Sequence, residues 1–152
     1  MRIVRKAQKF LRKMKLVKSY DKRLIDELKK EHNVLISLYS QIESNLQEKN
    51  YSKVLKLLKD FHKEFKEHIE FEDEYFYSYV KLKYRFVLKE LQLIEQKQQE
   101  MQKISTILNK FMEDYNSVEA IKQERFKEDL NMIANALTNR IEFEETKLYS
   151  YY

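Results

Sequence analysis

The chain contains no glycine, no proline and no cysteine in 152 residues. Without Gly and Pro, tight hairpin turns and strand punctuation have almost no material, which argues against a strand-rich fold. Without Cys there are no disulfides, thiolate zinc sites, iron–sulfur ligation or thiol nucleophile. No apolar run approaches membrane-spanning length and no secretory signal is visible, so the expectation is a soluble, cytoplasmic protein without a transmembrane segment. No nucleophile–base–orienter arrangement can be picked out, so an enzyme is not expected.

What is present points one way. Lys, Glu, Leu and Gln, all good helix formers, are abundant. The formal net charge is +5, but it is local. Arg2, Arg5, Lys6, Lys9, Arg12, Lys13, Lys15 and Lys18 precede the first acid, Asp21, and the remainder holds 22 basic against 25 acidic residues. The basic character belongs to the N-terminal segment and gives no reason to expect a nucleic-acid partner.

Apolar residues spaced by three and four recur along nearly the whole chain. A first segment, about 2–18, carries Ile3, Ala7, Phe10, Met14 and Val17 on one face. A second, about 21–47, runs Leu24, Leu28, His32, Leu35, Tyr39, Ile42 and Leu46. A third, about 52–80, runs Leu58, Phe61, Phe65, His68, Glu72, Tyr75 and Tyr79. A fourth, about 85–113, runs Val87, Leu91, Ile94, Gln98, Met101, Ile104, Leu108 and Phe111. The last, about 118–150, runs Phe126, Leu130, Ile133, Leu137, Arg140, Glu144, Leu148 and Tyr151. Asn50 to Ser52 and Asn116 to Ser117 read as helix ends followed by N-caps, with Asn standing in for Gly in the left-handed position. The expected fold is all-α, an antiparallel up-down-up-down four-helix bundle over 21–152 preceded by a short basic amphipathic arm over 1–20. The arm could cover the bundle, lie on a membrane surface through residues 2–18 or bind a partner, and the first of these is expected.

Each long helix sets a polar residue in its stripe: His32, His68 with Glu72, Gln98, and Arg140 with Glu144. Buried unpaired, such groups are costly, so they are expected to meet one another. His68 and Glu72 lie four apart, so imidazole and carboxylate point the same way. That pair suits a metal ion held by nitrogen and oxygen, iron or manganese, although a histidine on an apolar stripe is more often simply hydrogen-bonded. Arg140 and Glu144 read as a salt bridge with Glu72 in reach, and His62 beside the stripe as an accessory group or an exposed one. The chain also repeats itself: HIEFEDEYFYSY from His68 and RIEFEETKLYSYY from Arg140 differ at their first letter.

The EHNVL around His32, the FHKEFKEHIEFEDEYFYSY run and the closing ALTNRIEFEETKLYSYY resemble hemerythrin-like (HHE cation-binding) domains over about 21–152. The resemblance implies a bundle that holds non-haem iron, di-iron or mononuclear, and a role in sensing or handling oxygen, nitric oxide or iron. It places metal ligands at His32, His68, Glu72 and Glu144, the two glutamates as bridging carboxylates. Two positions depart from the pattern, since a histidine would stand near Gln98 and another at Arg140. A guanidinium cannot ligate, so Arg140 implies a metal half-site replaced by an internal counter-ion. The last helix is also similar to that of Rsd-type sigma-factor-binding regulators, in Phe126, Leu130, Ile133, Ala136, Leu137, Arg140 and Glu144. That resemblance implies the alternative, a metal-free bundle acting by contact with a protein partner.

Overall fold

A computed structural model describes residues 19–152. The arm expected over 2–18 lies outside the described residues. The rest is helical: α1 (Leu24–Gln47), α2 (Tyr51–Phe71), a π-helical segment (Glu72–Tyr77), α3 (Ser78–Lys83), α4 (Leu88–Asp114), α5 (Val118–Ile121), α6 (Glu124–Thr146) and a 3-10 turn (Leu148–Tyr151). α2 packs against α1, α4 and α5, and α6 packs against α1 and α4. Among the described residues no helix is long and apolar enough to cross a membrane.

Local chemistry sets the ends. The Asp21 carboxylate accepts from Arg23 N at 2.9 Å and its carbonyl from Leu24 N at 3.0 Å. Asp26 and Glu27 then sit in the first turn, where the helix dipole favours acids. Ser117 caps α5 by accepting from Ala120 N at 3.1 Å, as its type predicts. Asn50 differs from expectation. The left-handed residue is Lys49, at φ 58°, and the Asn50 side chain makes no capping bond.

Two expected helices are interrupted. The segment expected over 118–150 breaks at Gln123, whose ψ of 145° is extended, and ends in the 3-10 turn. The segment expected over 52–80 widens into the π turn. A π turn adds about one residue per turn, so the buried face slips along the sequence. Phe76, Tyr77 and Val80 are therefore buried where Tyr75 and Tyr79 had been expected to be.

The interior has two apolar clusters. One gathers Leu35, Ile42, Phe61, Phe65, Met101, Leu108, Phe126 and Leu137 among others. The second gathers Leu24, Leu28, Phe71, Phe76, Tyr77, Val80, Ile94, Leu148 and Tyr149. Reading along α1, α2 and α6, the polar residues Glu31–His32, His68–Glu72 and Arg140–Glu144 fall between the two clusters. Removing a core side chain leaves a void that neighbours only partly fill. Ile94→Ala, at a fully buried position, should lower the unfolding free energy by about 2–5 kcal/mol in urea titration. Ile107→Ala, at a position 59% exposed, should change it by less than about 0.5 kcal/mol.

Candidate metal centre

Four donors converge in the polar layer. One ligand atom from each of His32, His68, Glu72 and Glu144 lies within 4.8 Å of all the others, and all four residues are buried. α1 delivers His32, α2 delivers His68, the first residue of the π turn is Glu72, and α6 delivers Glu144. His32 Nε2 stands 3.7 Å from Glu144 Oε1, and His68 Nε2 stands 3.5 Å from Glu72 Oε2. The two imidazole centroids are 4.8 Å apart.

Each imidazole is oriented from behind. His32 Nδ1 bonds Glu145 Oε2 at 2.9 Å and His68 Nδ1 bonds Glu31 Oε1 at 3.2 Å. An ionised carboxylate only accepts, so each Nδ1 carries the proton and each Nε2 faces the cluster. That is the arrangement by which carboxylates fix ligating histidines. Glu31 is buried and Glu145 half-buried, and neither lies in the hydrophobic stripe of its helix. Adjacency to a polar stripe position, His32 for Glu31 and Glu144 for Glu145, was the one signal that could have drawn attention to them.

Two tyrosines complete the layer. Tyr149 donates to Glu72 Oε2 at 2.7 Å, and its oxygen lies 3.2 Å from His32 Nε2. Arg140 Nη2 donates to the Tyr77 hydroxyl at 2.6 Å. In the internal repeat Tyr77 and Tyr149 occupy equivalent places, nine residues after His68 and Arg140 respectively. Each copy's tyrosine thus bonds the polar group of the other copy. Both depend on local departures from the α-helix, the π turn for Tyr77 and the 3-10 turn for Tyr149.

Arg140 is buried, as its place in the stripe suggests, and its expected ion pair with Glu144 is present, while Tyr77 and Glu100 are further partners that the stripe did not indicate. Its Nε is 3.9 Å from Glu144 Oε2 and its Nη1 is 3.7 Å from Glu100 Oε2, so it attracts both carboxylates without a hydrogen bond to either. Gln98 does not join the group. It is half-buried, donates to Asp73 Oδ1 at 3.1 Å and accepts from Lys81 Nζ at 3.0 Å. His62 is elsewhere too, with Nε2 at 2.7 Å from Asn109 Oδ1.

The layer is short of positive charge or protons. His68 Nε2, Glu72 Oε1, both Glu144 oxygens and Arg140 Nε and Nη1 are buried without a hydrogen-bond partner. Glu72 is raised to about 8: burial, and then the Glu144 carboxylate, push it up, and His68, Tyr149 and Arg140 hold it back in part. Burial alone would lower both histidines. It is outweighed by Glu144 and Glu145 around His32, and by Glu31, Glu72 and Glu144 around His68, so both end above the usual imidazole value. Burial lifts Tyr149 and Tyr77 well above the ordinary phenol range, and the nearby carboxylates lift them further.

These donors fit a metal ion. Two imidazole nitrogens and two carboxylate oxygens suit iron or manganese. At bonds of about 2.1 Å, two donors facing each other across an ion are about 4.2 Å apart, so loading contracts the cluster slightly. A cavity of about 90 Å³ adjoins the site, lined mainly by apolar side chains including Leu35, Phe61, Phe65, Met101 and Leu137, with His32, His68 and Glu144 on its wall.

The chain matches a family model described as Hemerythrin HHE cation binding domain over residues 23–152. No curated protein and no solved structure gives a significant match.

Protons can supply the positive charge that these buried carboxylates call for. The folded values of Glu72, His32 and His68 all lie above their ordinary values of 4.5 and 6.5, so the folded chain binds more protons than the unfolded one. Stability from these groups is complete below their unfolded values and is lost as pH rises toward about 8 and beyond. In chelator, the melting temperature should be higher at about pH 5.5 than at about pH 8.5, and Glu72→Gln should flatten the difference. A wild-type melting temperature that rises over this window would contradict this account.

Proposed function

The chain belongs to the hemerythrin HHE cation-binding family, and from that premise we propose that it binds one non-haem iron ion, or a similar divalent cation, through His32, His68, Glu72 and Glu144. The observation that carries this reading is the buried four-donor group, each imidazole held from behind by a carboxylate. In this reading α1, α2, α4 and the α5–α6 pair are the four antiparallel helices of the bundle, and the site sits at their shared polar level. Arg140 argues for a single ion. It stands where a further ligand would serve a second metal, and its charge already compensates part of Glu144.

The protein's part is to bind and to exclude water. Glu31 and Glu145 keep Nε2 of each imidazole aimed at the ion, and the apolar clusters on either side keep the layer dry. A bound iron would supply redox and ligand-exchange chemistry. The adjoining apolar cavity suits a small uncharged molecule such as oxygen or nitric oxide, so the role is handling or sensing of iron or such gases. This reading assigns binding, with no reaction of an organic substrate.

Metal analysis after anaerobic incubation with ferrous iron and desalting tests it. Wild type should retain about one iron per chain. At a hundredfold excess of free ion over Kd, loading should stabilise the fold by about 2.7 kcal/mol. His68→Ala should abolish retention. Arg140→His, which exchanges a non-ligating cation for a ligand, should raise iron content or affinity. A folded wild-type chain that retains no metal would reject this reading and favour contact with a protein partner instead.

A further inference from the structure

We propose that Tyr149 is a fifth ligand, a phenolate oxygen bound to the ferric form of the ion; this rests on the metal-binding reading above. The family pattern carried over from the sequence places no ligand there.

The argument is geometric. Tyr149 Oη lies 2.7 Å from Glu72 Oε2 and 3.2 Å from His32 Nε2. Two neighbouring donors on one ion with bonds of about 2.1 Å are about 3.0 Å apart, which these distances bracket. The phenol oxygen therefore already stands at the spacing of a ligand, among the other donors.

Its surroundings also lack a proton. With Nδ1–H directed to Glu145, a neutral His32 presents a lone pair at Nε2. The single phenol proton points to Glu72, so the Tyr149 oxygen turns a lone pair toward that nitrogen. Two lone pairs at 3.2 Å repel unless a cation lies between or beside them. A metal ion bound to both atoms removes this repulsion.

Tyr149 is held in place from outside the site. Lys83 Nζ donates to the carbonyls of Tyr151 at 3.0 Å and Tyr152 at 3.2 Å. The Tyr152 hydroxyl accepts from Asp21 N at 2.6 Å, and its ring stacks on Tyr20 with centroids 4.9 Å apart. The last residues are thus fixed to α3 and to the start of α1, and Tyr149 points inward from a braced turn. On ligation the O–H bond of Tyr149 is exchanged for an O–Fe(III) bond. The proton leaves to the buffer and no electron moves. A trivalent ion beside the phenol supplies the charge that makes this deprotonation favourable.

The test is spectroscopic. Chelator-stripped protein is loaded with one equivalent of iron, as ferric citrate and separately as ferrous ion under anaerobic conditions, then desalted and assayed for iron. The ferric wild type should show a visible tyrosinate-to-iron charge-transfer band with resonance-enhanced phenolate ring modes. Tyr149→Phe should lose both and bind ferric ion at least tenfold more weakly, with a smaller change for ferrous ion. Tyr77→Phe should keep the band. If Tyr149→Phe does not fold, the wild-type Raman spectrum and the Tyr77→Phe variant still decide. Iron bound without phenolate modes, or a band that persists in Tyr149→Phe, would overturn the assignment of Tyr149 while leaving the metal site standing. A wild type that binds no iron in either state would remove the metal site itself.

Discussion

Everything in this fold accommodates one constraint: a layer of carboxylates, imidazoles and a guanidinium placed between two apolar clusters. Glu31, Glu72, Glu144, His32, His68 and Arg140 are all buried. A buried charge without a partner costs several kcal/mol, so such a layer must be neutralised from within. α1 brings an acid and an imidazole, α2 and the π turn bring an imidazole and an acid, and α6 brings the cation and an acid. None of these helices can shift by a turn without leaving a charge unpaired. The apolar clusters supply most of the burial energy, but apolar packing alone tolerates sliding, whereas the polar layer permits one register.

The internal repeat shows how the constraint is met twice by different chemistry. In the first copy His68 and Glu72 share an axis of the cluster with Glu31 behind the imidazole. In the second, Arg140 and Glu144 take the equivalent places, and the guanidinium is a permanent cation. The tyrosines of the two copies then exchange partners, Tyr77 accepting from Arg140 and Tyr149 donating to Glu72. A straight α-helix would carry neither phenol to its partner. The π turn at Glu72–Tyr77 and the 3-10 turn at Leu148–Tyr151 are therefore parts of the site as much as of the scaffold.

Much of this was legible in the residues. Period-3.6 stripes located the long helices, and polar interruptions of those stripes singled out His32, His68, Glu72, Arg140 and Glu144, because a charged group in an apolar stripe must find a partner. Gln98 interrupts its stripe in the same way but turns outward to Asp73 and Lys81. A neutral amide satisfied at the boundary has no need of the interior. What the stripes could not give were residues that reach the layer from beside it. Glu31 and Glu145 lie next to a stripe position, and Tyr77 and Tyr149 arrive only because the backbone leaves α-helical geometry. A 3.6-residue period assumes a continuous helix. It cannot register a π turn that shifts the buried face from Tyr75 and Tyr79 to Phe76, Tyr77 and Val80. The break at Gln123 escaped for the same reason, since without Gly or Pro nothing in the composition marks it.

The exchange of histidine for arginine between the copies has a consequence for folding and loading. A guanidinium stays charged at any pH a protein survives, so the half of the layer around Glu144 is compensated whether or not an ion is present. The half around Glu72 is not. There the phenol and imidazole hold the carboxylate only with the help of an added proton, which burial and Glu144 make favourable. A proton and a bound cation would therefore draw on the same donors, His32, His68 and Glu72. A chain built in this way can fold before it meets a metal, because Arg140 removes part of the repulsion that two unpaired buried carboxylates would create. The same arginine lowers the net attraction of the layer for a cation. The difference between histidine and arginine at the head of the two copies thus leaves one half of the layer with a built-in counter-charge and the other half without one.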